Sequence, residues 1–415
     1  MLRGLLFKRP RLVRPVFYGW VLTWLLGPTQ LVTWGVVYYT FSVLLTPMRA
    51  AMGWSSAQVT GAFSLGVLVS GASSVLVGQW LDQRGPRLLM IGGVCLATLL
   101  VGAWSQVRSL AGLYAVWIGL GLVTPAVTYD PAFWVVTRWF LGDQASARNR
   151  AMTVLTLFGG LASTAFIPIA TALHMAFGWR TALQMLAVLL AACTLVPYGL
   201  LLKGRPPPLG PISAQHAPVG LGWNQVLRGG AFWSLTLPLM LTSGAWSALT
   251  VHFVSYALSR QIGAALVATA AALVGVLQVV GRLGIVPLGD RFPARRLTAV
   301  LCGFQAAAMV SLLVLPSPAG LIGYAVCFGI GHGVMTPMRV TLIADAFGVG
   351  RYGTLAGAIK LITTLASALA PVAVGMLVTS TGSYTTALIV IMSFSLVAGA
   401  LLLRPAAAGT DKMVA

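Results

Sequence analysis

The sequence predicts an all-α polytopic membrane protein, and three observations carry that prediction. The chain is 58% hydrophobic and only 8% charged, whereas soluble domains carry roughly 25% charged residues. Apolar runs of about 20 residues, each long enough to cross a bilayer, recur along nearly the whole length. A charged hairpin between two of these runs returns about half a chain later. We therefore expect a bundle of transmembrane helices built from two related halves.

Twelve apolar runs fit the chain best as membrane spans. They are predicted near residues 17–45, 55–80, 88–106, 110–137, 150–174, 181–202, 231–257, 264–288, 297–315, 319–344, 354–378 and 384–403. The longest polar stretch, residues 203–230, is rich in Pro and Gly, which favours an extended connector over a folded domain. We expect two six-helix units, residues 1–202 and 231–415, joined by a cytoplasmic linker at 203–230.

The distribution of Lys and Arg predicts the orientation. With the N-terminus inside, twenty of these residues fall on the cytoplasmic side and four on the outside, and cytoplasmic segments of membrane proteins are enriched in Lys and Arg. The basic N-terminus resembles a signal peptide, but its apolar run is long and lacks a small-residue cleavage site. We expect a multi-pass protein of the cell inner (plasma) membrane with both termini in the cytoplasm.

Several function classes are excluded by composition and motifs. The net charge is +20, but the basic residues are scattered between apolar runs, so no nucleic-acid partner is expected. The four cysteines lie in apolar runs without metal-ligand spacing, which favours packing roles. No Walker or H-E-x-x-H sequence is present. We expect no catalytic residues, no metal and no cofactor, and energy supplied by ion or substrate gradients.

The repeated hairpin is the most informative motif. Residues 76–88 read LVGQWLDQRGPRL, and a looser copy at 283–297 reads LGIVPLGDRFPARRL. In both copies an apolar helix runs into an Asp, then Arg, and then resumes. Weaker echoes, such as residues 109–125 with 317–337, follow in the same order. Duplicated membrane halves are typical of secondary transporters.

The first copy resembles the hinge of the major facilitator superfamily. Gly78, Asp82, Gly85 and Arg87 match the pattern G-x-x-x-D-x-x-G-x-R/K at its expected place between spans two and three. The resemblance covers almost the whole chain and implies two six-helix bundles around a central cavity that opens alternately to either side. It also implies gating roles for these four residues. The second copy adds Asp290 and Arg291 as gating candidates. The alternative is a solvated cytoplasmic turn.

Two cations fall inside predicted spans, Arg282 in span eight and Lys360 in span eleven. A cation at the bilayer centre costs at least about 2.5–3.5 kcal/mol, so it needs a polar cavity or a partner. Arg282 resembles the span-eight arginine of monocarboxylate transporters and oxalate/formate exchangers, and Lys360 resembles a cation of the latter. The resemblance implies that Arg282 binds a substrate carboxylate and that Lys360 assists. Alternatively each pairs internally, with Asp130 or with backbone carbonyls.

Asp130 is the only acidic residue placed well within a predicted span, and it precedes Pro131. It is a candidate carrier of a coupling proton, or it neutralises a cation such as Arg138. His252 and His332 are further coupling candidates because histidine changes charge near neutral pH. Buried histidines are also often simply hydrogen-bonded.

Five aromatic residues of spans one, four and seven are candidate walls of the cavity: Trp34, Tyr38, Tyr39, Tyr129 and Trp246. Tyr39 and Tyr129 are the substrate-binding candidates among them, and the alternative is that these side chains pack or anchor at the membrane interface. Gln278 stands one turn before Arg282, where animal monocarboxylate carriers have a proton-coupling Asp. That departure argues against coupling through span eight. The chain also lacks the span-four arginine and the span-five Gly-Pro signature of drug/proton antiporters.

The sequence therefore predicts a secondary active transporter for a small organic anion, specifically a monocarboxylate. Its partners are the substrate, the lipid bilayer and, as candidate coupling ion, a proton. One alternative is an exporter of an amphipathic drug or metabolite. The other is a non-transporting membrane receptor with the same fold.

Overall fold

In a computed structural model, the chain is all-helical over the residues that the structure describes. These are residues 17–140, 145–201, 229–289, 291–315, 318–348, 350 and 352–404. The first half contains helices at Tyr18–Trp34, Thr40–Met52, Ser56–Arg84, Pro86–Ser105, Leu110–Val127, Tyr129–Trp139, Ala145–Gly160 and Ala162–Leu201, with a π-helix at Gly35–Tyr39. The second half contains Gly230–Ser259, Ala264–Gly289, Ala294–Val314, Ala319–Phe347, Tyr352–Thr381 and Tyr384–Leu403. Most of the expected linker, residues 202–228, lies outside the described residues.

These helices form twelve membrane spans. Within the described residues, eleven helical stretches are long and apolar enough to cross a membrane. One of them, Ser146–Gly199, is 54 residues long and is divided at Gly178, whose φ of 78° and ψ of 162° are not helical. Only glycine adopts such a conformation without strain. This stretch therefore supplies spans five and six, and the count agrees with the sequence prediction.

Two spans depart from a regular α-helix at positions that are only weakly indicated by the sequence. Span one is continuous through the π-helix Gly35–Tyr39, in which the Thr40 N–H bonds the Gly35 carbonyl. Span four breaks at Thr128, whose backbone is extended. Its second piece begins at Tyr129, so Pro131 falls in the first helical turn, where the missing N–H of proline is tolerated. The break places Tyr129 and Asp130 at a helix N-terminus inside the membrane.

The two six-helix bundles repeat one packing scheme. In the first, span two packs on span four, span one on span five, and span three on span six. In the second, span eight packs on ten, seven on eleven, and nine on twelve. The bundles join through span two against eleven and span eight against five, which are equivalent pairs in this scheme. The contacts thus repeat after six spans, as the duplicated hairpin does in the sequence.

The turn between spans two and three defines what we call the hinge end of the molecule. Span two continues through Arg84, and Gly85 has a φ of 77° before Pro86 opens span three. Asp82 therefore lies in the last helical turn and not in a loop. The bundles come close together near this end. Gly71 of span two faces Thr364 of span eleven, and Ser74 Oγ donates to the Gly357 carbonyl over 3.0 Å.

Candidate functional site

Arg282 bonds to both bundles at once. Its side chain is only 6% exposed. The Nε atom donates to the Gly333 carbonyl of span ten over 3.0 Å, and a terminal nitrogen donates to the Thr156 carbonyl of span five over 2.6 Å. Among the residues that the structure describes, carboxylates lie within 4.0 Å of Arg148 and Lys360 but not of Arg282. The guanidinium is therefore held by carbonyl dipoles, and its charge has no carboxylate partner there.

Two glycines of span five make room for this arrangement. A Cβ on Gly160 would overlap the Arg282 guanidinium, and a Cβ on Gly159 would overlap the Tyr129 hydroxyl. That hydroxyl donates to the Thr156 carbonyl over 3.4 Å, so Tyr129 and Arg282 share one acceptor. The guanidinium also interacts electrostatically with Tyr39 and Tyr129. The two tyrosines predicted from the sequence are thus brought to Arg282.

An aromatic cluster continues from these tyrosines along span one. The ring centroids of Trp34 and Tyr129 are 5.3 Å apart, and those of Trp34 and Tyr38 are 5.5 Å apart. Tyr38 and Tyr39 belong to the π-helix, which changes the direction of side chains within the span. Single-turn π-helices occur often at functional sites. The sequence offered one signal for it, Gly35, where a Cβ would overlap the ring of Phe166.

Asp130 and Lys360 form an ion pair between the bundles. Lys360 Nζ bonds Asp130 Oδ2, and the two side chains are 26% and 24% exposed, respectively. Lys360 therefore contacts a carboxylate of span four and does not extend to the membrane surface as an unpaired charge. Arg138, the other partner considered for Asp130, instead lies 5.3 Å from the ring centroid of Trp134.

A third cation, Arg339, lies near this pair and was not singled out from the sequence. It donates to Ser243 Oγ of span seven over 3.0 Å, and it interacts electrostatically with Asp130. The orientation count placed it on the cytoplasmic side, whereas it lies inside helix Ala319–Phe347. The rule that identified Arg282, a cation within an apolar run, would also have found Arg339.

The two histidines have different surroundings. His332 lies beside the rings of Trp246 and Phe328, with centroid distances of 4.0 and 6.2 Å, and it precedes the Gly333 that binds Arg282. His252 instead pairs its Nε2 with the Pro371 carbonyl at 2.9 Å, within the second bundle. The structure thus brings His332, but not His252, to Arg282. Within the described part of the chain, no group of three or more metal-ligating side chains is found.

Asp82 connects the bundles at the hinge end. Its Oδ1 accepts bonds from the Gly353 N–H and from Trp134 Nε1, both at 3.0 Å. Its Oδ2 accepts a bond from the Thr354 N–H over 2.7 Å. Both backbone donors lie in the first turn of span eleven, where the helix dipole also favours a negative charge. Gly78, one turn earlier, packs directly against the Gly353 backbone, and a Cβ there would overlap its carbonyl.

The remaining gating candidates lie outside this interface. Arg87 is exposed and donates to the Gly199 carbonyl over 3.3 Å, within the first bundle. Arg291 is exposed after span eight, and Asp290 falls outside the described residues. A second link between the bundles was not predicted from the sequence. Arg148 pairs with Asp345 at 2.6 Å.

The chain resembles known transporters in both sequence and structure. Monocarboxylate transporter 13 of Bos taurus is 26% identical over 401 residues, which cover 93% of this chain and 89% of that protein. Monocarboxylate transporter 12 of Rattus norvegicus is 25% identical, with 81% and 74% covered. MFS transporter asaE of Aspergillus flavus is also 25% identical, with 80% and 73% covered.

Two solved structures share the fold. The MFS transporter FucP of E. coli, in the outward conformation, superposes with a TM-score of 0.73 at 14% identity, covering 94% of this chain and 100% of FucP. The human organic anion transporter MFSD10 superposes with a TM-score of 0.69 at 17% identity, covering 95% and 100%. Residues 26–371 match the model of the Major Facilitator Superfamily. The chain therefore belongs to the Major Facilitator Superfamily and is a multi-pass membrane transporter, not an enzyme, related to the monocarboxylate transporters.

Proposed function

We propose that this chain carries a small organic anion, specifically a monocarboxylate, across the membrane by alternating access. The observation that carries the proposal is Arg282, a buried guanidinium bonded to backbone carbonyls of both bundles. The names of its relatives, monocarboxylate transporters 12 and 13, support the same substrate class.

The positive charge of Arg282 needs a compensating negative charge. Carbonyl dipoles orient a guanidinium but do not neutralise it, and a cation inside a membrane is expensive unless it is compensated. A carboxylate supplies both the charge and two acceptors that match the planar donor fork. In the proposed site, a substrate carboxylate replaces the Thr156 carbonyl as acceptor, with Tyr39 and Tyr129 beside it.

Substrate binding and movement are linked through the same bond. The Thr156 carbonyl belongs to the first bundle, whereas Arg282 and Gly333 belong to the second. A ligand that takes over the Thr156 bond weakens one connection between the bundles. Because a ligand shifts a conformational equilibrium only by its different affinity for the two states, such an exchange gives the substrate that difference.

The Asp130–Lys360 pair is proposed as the coupling element. It joins the bundles, so it must separate when the hinge end opens. Protonation of Asp130 would remove the attraction and make the separation less costly, with a proton as the coupling ion. In this conformation Lys360 then balances the charge of Asp130 and does not contact the substrate carboxylate. Span eight offers no alternative carboxylate at the position of Gln278, where animal monocarboxylate carriers have an Asp.

We place the hinge end on the cytoplasmic side of the cell inner membrane, with both termini inside. The twenty-to-four distribution of Lys and Arg supports this orientation. In that orientation the present conformation is closed toward the cytoplasm, and Gly78 and Asp82 hold it closed. The moving bodies would be residues 1–202 and 231–415, connected by 203–230.

Uptake into proteoliposomes tests the proposal. Labelled lactate, propionate and benzoate are offered under an inward proton gradient, with protein-free vesicles subtracted. We expect Arg282→Gln to lower uptake about 30-fold or more, because losing one partner of a buried charged pair costs about 2–5 kcal/mol and each 1.4 kcal/mol is a factor of ten. The matched control is Arg180→Gln. Arg180 also donates to two backbone carbonyls, of Ser105 and Val107, but within the first bundle.

The control should retain uptake within about threefold of the parent, since the bonds that the described structure gives Arg180 all stay within the first bundle. Equal uptake by the parent and by a folded Arg282→Gln protein would contradict the carboxylate site. Uptake or extrusion of lipophilic cations or neutral amphipaths, without any carboxylate, would favour the exporter. A folded parent that moves none of these compounds would favour the receptor.

A further inference from the structure

We propose that the monocarboxylate bound at Arg282 carries an aromatic ring, which lies between an aromatic wall of each bundle. The inference rests on the proposed function, because it assumes that Arg282 holds a carboxylate. It adds the chemistry of the remainder of the substrate. Two features support it: the aromatic rings near Arg282, and buried N–H donors for which the described residues provide no acceptor.

The first wall belongs to the first bundle. Trp34 is in ring contact with both Tyr38 and Tyr129, and Tyr129 stacks on Phe133 at 5.0 Å with an interplanar angle of 6°. Trp34 and Tyr129 are only partly buried. Tyr129 shares its acceptor, the Thr156 carbonyl, with Arg282. Tyr129 of this wall is therefore next to the position where the substrate carboxylate would bind.

The second wall belongs to the second bundle. Trp246 contacts Phe328 at a ring-centroid distance of 3.9 Å and His332 at 4.0 Å. His332 is the neighbour of Gly333, whose carbonyl accepts the Arg282 Nε bond. Arg282 is thus linked to the first wall through Tyr129, which shares its Thr156 acceptor, and to the second wall through His332, the neighbour of Gly333.

The two tryptophans share a further property. Trp34 Nε1 and Trp246 Nε1 are both buried and have no hydrogen-bond partner within the described structure. Each tryptophan is the seventeenth residue of its helix, Tyr18–Trp34 or Gly230–Ser259, so the pair follows the repeat of the two halves. A buried donor without an acceptor needs an explanation. The π face of an aromatic ring is itself a weak acceptor for an N–H group, so a ring that contacts both walls supplies one.

The geometry favours a flat apolar substrate over a short aliphatic one. Aromatic rings attract one another at centroid distances of roughly 4.5–7 Å, in stacked or edge-to-face arrangements. A carboxylate on Arg282 with a ring attached can reach this range from Trp34 or Tyr129, whereas a methyl group makes contact with only one wall. We expect the gain over a saturated ring of the same size to be roughly two- to tenfold in affinity.

Equilibrium binding to the purified full-length protein in detergent tests the inference without interference from passive diffusion of weak acids. Labelled benzoate is displaced with unlabelled benzoate, cyclohexanecarboxylate or propionate. Cyclohexanecarboxylate matches benzoate in charge and size but lacks the aromatic ring. Trp34→Leu removes one ring of the first wall, and Trp34→Phe retains a ring. The control is Trp24→Leu, because Trp24 lies in the same helix but is 57% exposed.

The parent and Trp24→Leu should bind benzoate roughly two- to tenfold more tightly than cyclohexanecarboxylate. Trp34→Leu should lose that preference, and Trp34→Phe should keep most of it. No preference in the parent, or an unchanged preference in Trp34→Leu, would overturn the aromatic inference. If cyclohexanecarboxylate and propionate still bind in an Arg282-dependent way, the proposed function stands without it. If a folded Arg282→Gln protein binds benzoate as the parent does, both fall.

Discussion

Two of the contacts between the bundles are built from opposite chemistry. At the hinge end, a carboxylate of the first bundle, Asp82, accepts two backbone N–H bonds from the first turn of span eleven. In the centre, a cation of the second bundle, Arg282, donates to a backbone carbonyl of span five. The hinge contact combines a negative charge with the positive end of a helix. The central contact leaves the charge of Arg282 without a carboxylate partner among the described residues.

Of these two contacts, the central one depends on a ligand. The hinge contact is complete within the protein and holds one end of the molecule closed. The central contact is completed by an anion, which makes it the natural position for substrate. Lys360 sharpens the contrast, since it lies in the same interface but already pairs with Asp130. We therefore expect substitutions at these three contacts to have different effects.

The largest effect is expected for the Asp130–Lys360 pair. Lys360→Gln leaves a largely buried carboxylate without its partner, and breaking a buried pair in this way costs about 3–5 kcal/mol. The double variant Asp130→Asn with Lys360→Gln should recover most of the lost free energy of unfolding. Thermal unfolding in detergent measures the cycle. A double variant as unstable as Lys360→Gln would show that the two charges do not compensate each other.

A smaller effect is expected at the hinge end. Asp82→Asn removes the charge from bonds worth about 1.5–3 kcal/mol in the charged form, so the hinge end should open more often. Spin labels at Leu88 and Phe292, both exposed and one in each bundle, report the distance between bundles. We expect a longer distance to become populated, in a background without the four native cysteines.

The matched control for Asp82→Asn is Asp345→Asn. Asp345 also pairs across the hinge end, with Arg148, but its side chain is 48% exposed. Exposed ion pairs contribute only about 0–1 kcal/mol, so its distance distribution should stay close to that of the parent. If Asp345→Asn opened the hinge end as much as Asp82→Asn does, the helix-terminal contact would have no special role.

The smallest effect is expected from moving Arg282 without removing its charge. The added methyl of Gly160→Ala would overlap the guanidinium, which can shift because it is the end of a flexible side chain. We expect about a tenfold loss of carboxylate affinity, the equivalent of one charge-assisted hydrogen bond of about 1.4 kcal/mol. Gly102→Ala is the control, since a Cβ there meets nothing within 4 Å. Unchanged affinity in Gly160→Ala would argue against direct binding at Arg282.

Much of the fold was predictable because it depends on local hydropathy. The twelve spans follow from the lengths of the apolar runs, and the hinge follows from the spacing of Gly78, Asp82 and Gly85. Only the ends differ, since span two continues through Asp82 to Arg84. The break at Thr128 was only partly signalled by Pro131, and the π-helix depends on how Gly35 packs against Phe166.

The candidate site was predictable residue by residue, whereas its pairings were only one of two open alternatives. Internal pairing with Asp130 or with backbone carbonyls was that alternative, and in this structure Lys360 bonds Asp130 and Arg282 bonds carbonyls. Arg282, Lys360 and Asp130 stand out as charges within apolar runs. That Lys360 bonds Asp130, which is 230 residues away in the chain, depends on how two bundles dock and leaves no local pattern. The same holds for Arg148 with Asp345. The docking also leaves Arg282 without a carboxylate partner among the described residues.

The most direct test of the central claim is one binding measurement on three proteins. The labelled monocarboxylate that the parent binds is titrated into the parent, into Arg282→Gln and into the double variant Asp130→Asn with Lys360→Gln. The claim predicts that the double variant binds within about threefold of the parent. It also predicts that Arg282→Gln loses about 30-fold or more in affinity, which corresponds to the cost of about 2–5 kcal/mol for removing a buried charged partner. Equal binding by Arg282→Gln, or complete loss in the double variant alone, would contradict it.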